Sequence, residues 1–267
     1  MILGLSSLSP ARRRLLLGTG GAVAAALIAG VVLGLAPGRP LAPVPQERPG
    51  PVVLVPGYGG DRASLTALAG RLGALGRAAT VIALPGDGTG DLNEQAQALA
   101  AAVRAAQRGA PSVDLVGYSA GGVVARLYVR SYGGANRVRR VVSLGSPQHG
   151  TTVALSADAL VPGACVAACA QLLPGSDLLR ALNRGDETPA GPLWMSLWTE
   201  QDHTVRPPDS AHLMGALNVD LQQLCPDEAV SHGGLPHDAL VIGLVLAALG
   251  PGPPQAPGDC ARLRAAG

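Results

Sequence analysis

Phenylalanine is missing from this chain altogether, and with four Tyr and two Trp the aromatics make up only 2% of its 267 residues. That scarcity removes the stacking platforms on which nucleic-acid bases lie, and it forces any core to be built from Ala, Val and Leu. Charge is scarce as well, at 14% against 48% hydrophobic residues. A chain so apolar buries a core and is not disordered. The formal net charge of +2 is not a basic patch, because Arg12, Arg13, Arg14 and Arg39 precede every acidic residue. Beyond Ala42 the acids outnumber the bases by two. A nucleic-acid partner therefore finds no support. The Cys and His residues show no metal-ligand spacing either. The length leaves room for one substantial α/β domain and not for two.

The opening reads as an address rather than as fold. Arg12-Arg13-Arg14 is followed by an uncharged apolar run over 15–36 and then by a Pro-rich stretch. That order is expected of an export signal, and the arginine pair loosely resembles a twin-arginine signal. The run exceeds the roughly 7–15 residues of a signal-peptide core and approaches the roughly 20 that span a bilayer. An uncleaved membrane anchor, with the domain outside the cell, is therefore the competing expectation. The division that follows is a leader over 1–42, a Pro-rich linker over 43–50 and a catalytic domain over 51–267.

Within that domain short β-branched runs at 52–55, 80–84, 113–116 and 138–144 alternate with helical stretches at 64–75, 92–108 and 120–131. Further strands are expected at 194–199 and 217–221, and a closing helix at 238–249. The alternation predicts a mostly parallel, doubly wound sheet. The segment at about 152–192 is apolar and broken by Pro and Gly, as suits a cap over a site. The tail over 251–267 reads as an irregular strap.

Gly117-Tyr118-Ser119-Ala120-Gly121 fits G-x-S-x-G, the sharp strand-to-helix turn that presents a serine nucleophile. Alone, in a chain with 37 Gly, the motif is weak. Its setting, directly after one predicted strand and directly before a predicted helix, gives it meaning. An acyl-transfer serine also needs donors for the oxyanion. Those expected are the backbone N–H groups of Ala120, directly after the nucleophile, and Tyr58, in the Pro-Gly turn after the first strand.

A general base and an orienting carboxylate should follow in the order serine, acid, histidine. Of the five His, His149 falls too early and reads as a wall or hydrogen-bonding residue, and His203 and His212 crowd the acid candidates. His232, in a Gly-rich loop before the last helix, is preferred to His237, which reads as a capping or surface residue. Asp202, in the loop after a predicted strand, is preferred to Asp209 and Glu200 as the acid.

The segments VVLVPGYGG (52–60), PGDGTGDL (85–92), VGYSAGG (116–122), LGSPQHGT (144–151), EQDHTVRP (200–207) and SHGGLP (231–236) occur here in one order. Together they resemble bacterial class 2 lipases and esterases of the α/β-hydrolase superfamily, especially exported actinobacterial forms, over about residues 50–250. The resemblance implies a triad of Ser119, Asp202 and His232 and an oxyanion hole at Tyr58 and Ala120. It also implies a cofactor-free hydrolase of lipidic or acyl esters. Two alternatives remain: an acyltransferase or thioesterase on the same triad, and a non-catalytic, membrane-tethered binding protein.

Cys165, Cys169, Cys225 and Cys260 form an even set in a chain that reads as exported, so disulfides are expected. The preferred pairing of the three that are possible joins Cys165 to Cys169 and Cys225 to Cys260.

Overall fold

The computed structural model describes residues 44–154 and 165–267. The leader over 1–42, and the part of the expected cap over 155–164, lie outside the described residues. Six parallel strands form one sheet: β1 (Val52–Val55), β2 (Ala79–Val81), β3 (Val113–Tyr118), β4 (Val138–Leu144), β5 (Leu193–Trp198) and β6 (Leu217–Asp220). Their spatial order is β2-β1-β3-β4-β5-β6. The chain first winds outward from β1 to β2, then returns to β3 and winds the other way. The reversal places a topological switch point between the carboxyl ends of β1 and β3, where open α/β sheets bind their ligands.

Continuous apolar strands are explained by burial on both faces. In β1, Val53 and Val55 face one core with the helices Leu92–Ala106 and Ala120–Ser131. Val52 and Leu54 face the other core with the helices Thr66–Ala74 and Ala239–Ala248. The helix Ala239–Ala248 is apolar over its whole length because the tail covers what the sheet does not. That tail departs from the irregular strap expected of it. Its Pro-rich start gives way to a helix, Cys260–Ala266, whose first turn is capped by the Asp259 carboxylate accepting from the Arg262 N–H at 2.9 Å. The two helices nearly touch: a Cβ on Gly243 would come within 2.1 Å of the Leu263 carbonyl oxygen. A disulfide between Cys225 and Cys260 pins the tail, and a second joins Cys165 to Cys169.

Element ends also differ from the sequence expectation. β2 stops at Val81 instead of running to residue 84, because it is the sheet's edge and has one neighbour to hold it. Leu221 begins a short helix, capped by Asp220, rather than ending β6.

At the amino end of the sheet, away from the switch point, a buried ion cluster ties three stretches of chain together. Asp114 on β3 is fully buried and accepts from Arg139 on β4 (2.9 and 2.7 Å) and from Arg77 (2.7 Å). Arg139 goes on to donate to the carbonyls of Gln46, Leu249 and Gly250, and Arg77 to that of Gly50. One carboxylate thus compensates two guanidinium groups that hold the start of the domain and the end of its last sheet-packed helix.

Removing one member of a buried charge cluster leaves the others uncompensated, which costs about 3–5 kcal/mol. Asp114→Ala is therefore expected to lower the stability in urea by that amount, and a loss below about 1 kcal/mol would show that the cluster is solvated like a surface pair.

Candidate active site

The residues at the switch point are positioned by turns that only these amino acids permit. β3 ends at Tyr118, and Ser119 adopts φ 53° and ψ −126° before the helix Ala120–Ser131 begins. Among the described residues Ser119 is the only non-glycine with positive φ. Such a conformation costs of order 1–3 kcal/mol and persists only where the surroundings enforce it. They do so by close packing: a Cβ on Gly117 would lie 2.5 Å from Gly122, and one on Gly121 would lie 2.3 Å from the Val55 carbonyl oxygen. The Ser119 N–H donates to the Leu144 carbonyl (2.9 Å), which fixes the turn against β4.

Ser119 Oγ lies 3.0 Å from His232 Nε2, and His232 Nδ1 lies 2.6 Å from Asp202 Oδ2. Asp202 is fully buried, and its other oxygen accepts from the N–H groups of Thr204 (2.8 Å) and Val205 (2.7 Å). These two backbone donors hold the carboxyl group in one orientation. The remaining oxygen then receives the Nδ1–H of His232, which leaves Nε2 as acceptor for the Ser119 hydroxyl. The arrangement can withdraw a proton from Ser119 and return it to a leaving group.

The two backbone segments expected to supply oxyanion donors lie beside the serine. A Cβ on Gly57 would lie 3.0 Å from that of Ser119, so the turn carrying Tyr58 lies against Ser119. Ala120 opens its helix, and its N–H has no partner in the helical ladder. On the open side of Ser119 is a cavity of about 360 Å³, walled by apolar groups that include Pro147, Val153, Leu172 and Val205, with Cys169 of the local disulfide at its edge.

Comparison with known proteins agrees with this architecture. Residues 51–181 match the model of the palmitoyl protein thioesterase family. No curated protein sequence matches the chain. Among solved structures, Aspergillus fumigatus lipase B superposes with a TM-score of 0.67 at 21% identity, covering 80% of this chain and 56% of the lipase. The chain thus spans little more than half of that protein's length. The mature form of Bacillus licheniformis lipase BlEst2 gives 0.61 at 20% identity, covering 80% of this chain and 96% of the other. A structure from the metagenome-derived lipolytic enzymes LipS and LipT gives 0.58 at 16% identity, covering 78% of this chain and 99% of the other. This chain is an α/β-hydrolase by fold.

None of the other His and acid candidates weighed from the sequence reaches Ser119 in this α/β-hydrolase fold. His149 Nε2 instead meets Glu187 at 2.9 Å. His212 stacks edge-on to Trp198, and His237 and His203 are exposed. Glu200 and Asp209 are exposed too.

Two residues of the candidate site escaped the sequence reading. The Tyr118 ring packs on His232 with centroids 5.2 Å apart, and its hydroxyl donates to the His232 carbonyl (3.3 Å). Burial, and then the carboxylates of Asp202 and Asp61, push that phenol up to about 12, so it remains a neutral donor. Gly145, just after β4, lies beneath the His–Asp pair with φ 54°. A Cβ there would lie 2.6 Å from Leu235, 3.2 Å from His232 Nδ1 and 3.3 Å from Asp202 Oδ2. The only signal in the sequence was a glycine at a strand's carboxyl end; its neighbours are supplied by residues 57 and more positions away.

Gly145→Ala should displace the imidazole, and a misplacement of about 1 Å costs about 100-fold in rate. The expected outcome is a fall of about 10- to 100-fold in the rate of Ser119 acylation by an activated p-nitrophenyl ester. Unchanged acylation in a folded variant would show that Gly145 does not set the His–Asp position.

Proposed function

We propose that this chain is a serine hydrolase of carboxylic esters with lipidic or other acyl groups, working through Ser119, His232 and Asp202. The observation that carries the reading is the hydrogen-bonded series Asp202–His232–Ser119 opening directly onto an apolar cavity. His232 Nε2 takes the Ser119 proton as Oγ attacks the ester carbonyl, and the N–H groups of Tyr58 and Ala120 stabilise the oxyanion. Collapse breaks the acyl C–O bond, and the leaving oxygen takes the proton from His232. Water, deprotonated by the same imidazole, then releases the acid and restores Ser119.

A cavity of about 360 Å³ lies near the lower end of the range of roughly 300–1,000 Å³ usual for ligand sites. Its apolar walls favour an aliphatic acyl chain over a polar one. The resemblance to class 2 lipases and esterases supports the same substrate class.

Thioester cleavage is the second reading, because the matching family model is that of palmitoyl protein thioesterases. The same acyl-enzyme would form from a thioester, with a thiol as the leaving group. Export places the catalytic domain outside the cell, released or held by an N-terminal anchor, and the two disulfides fit an oxidising compartment.

Hydrolysis of p-nitrophenyl esters from acetyl to palmitoyl, beside the palmitoyl thioester of a short cysteine peptide, tests the proposal on the full chain. Ester turnover is expected to rise from acetyl toward medium chains, and Ser119→Ala should lower kcat by about 10⁴-fold or more. Turnover of the thioester alone would replace the ester reading with the thioesterase one. Hydrolysis that persists in Ser119→Ala would contradict both.

A further inference from the structure

Tyr58 walls two cavities. Besides the apolar one at Ser119 it lines a second, of about 570 Å³, together with Asp61, Ser64, Tyr118, Gly233 and His237. Its walls include chain neighbours of two of the proposed triad residues: Tyr118 precedes Ser119, and Gly233 follows His232. In the acyl-transfer reading, on which this inference rests, the leaving atom must sit within reach of His232 Nε2 to recover its proton. With the acyl chain in the apolar cavity, the second cavity, which shares the Tyr58 wall with it, is the neighbouring space for whatever the leaving atom carries.

The chemistry of that second cavity is selective. No Arg lines it, and Asp61 supplies its one carboxylate. One oxygen of Asp61 accepts from the Ala63 N–H at 2.9 Å, and no protein donor among the described residues takes the other. In a chain with only four Tyr, two of them, Tyr58 and Tyr118, wall this one cavity. A carboxylate beside aromatic rings attracts a cation, through charge and through the ring quadrupole, and repels an anion.

We infer that the leaving-group side of the site takes an alcohol or thiol bearing a positive charge, held as an ammonium by Asp61 and the rings of Tyr58 and Tyr118. The bond broken is still the acyl C–O or C–S bond, and His232 still protonates the leaving atom. The ammonium only positions it.

The test compares octanoyl esters of choline, of its uncharged isostere 3,3-dimethylbutanol and of 4-hydroxybutanoate, on the full chain at pH 8. The expected order of kcat/KM is choline first, ahead of the isostere by about 5- to 20-fold, with the carboxylate-bearing ester last. The advantage of choline should lie mainly in KM. Asp61→Asn should bring the choline-to-isostere ratio close to one, and because a ratio is read, any loss of folded protein cancels. A wild-type ratio near one, or a preference that survives Asp61→Asn, overturns the inference while leaving ester hydrolysis intact. No hydrolysis of any of the three esters overturns the acyl-transfer reading and this inference with it.

Discussion

Everything at the switch point follows from the need to turn a buried parallel strand into a helix within one residue. Ser119 makes that turn at φ 53°, and its side chain is thereby lifted out of the β3 row. The strain holds because β1, β3 and the helix approach too closely for a Cβ at Gly117 or Gly121. The same closeness brings the Gly57–Tyr58 turn against the serine and leaves the Ala120 N–H at the helix start. The placement of Ser119, of the Gly57–Tyr58 turn and of the cavity mouth is thus the consequence of one backbone constraint, set by close packing and held by the Ser119 N–H bond to the Leu144 carbonyl.

The second constraint is electrostatic and comes from the other half of the sheet. Asp202 is buried with both oxygens satisfied, one by two backbone N–H groups and the other by the imidazole. Its loop and the His232 loop are tied to each other at several points. Thr199 donates to the Val230 carbonyl (2.8 Å), and Gln222 bridges Thr199 and the Glu228 carbonyl. Glu228 in turn receives Arg264 of the tail helix (2.8 Å), whose first residue is bonded to Cys225. A tail far from the chemistry therefore braces the segment that carries the imidazole. By loop-length arguments, a link across the 35 residues from Cys225 to Cys260 contributes roughly 3–4 kcal/mol against unfolding.

The sequence carried the sheet and the order of the candidate site clearly, for identifiable reasons. Strands buried on both faces write themselves as unbroken runs such as Val52–Val55, and β1, β4 and the helix Ala120–Ser131 begin and end where those runs do. Ser119 and Asp202 could be singled out because each follows a strand at a turn, and His232 because it opens a Gly-rich loop before a helix, all of them local properties. The pairing of Cys225 with Cys260 was legible because the tail had to be tied somewhere. What was not legible depends on contacts between distant positions. The Asp114, Arg77 and Arg139 cluster joins residues 25 and 37 apart, with nothing local to announce it. Gly145 matters only for what lies above it. The tail helix was hidden by its Pro-rich lead-in, although Asp259 was a cap in plain view.

The central claim is that Ser119 is a nucleophile made reactive by His232 and Asp202, and covalent labelling tests it without assuming a substrate. The full chain is treated with a fluorophosphonate probe, digested, and the modified peptide located by mass spectrometry, beside Ser119→Ala and Asp202→Asn. The account predicts one adduct, on Ser119, absent from Ser119→Ala and formed at least about 100-fold more slowly in Asp202→Asn, where the imidazole loses the partner that fixes its tautomer. No adduct on the folded wild-type chain, or an adduct whose rate is indifferent to Asp202, would contradict it.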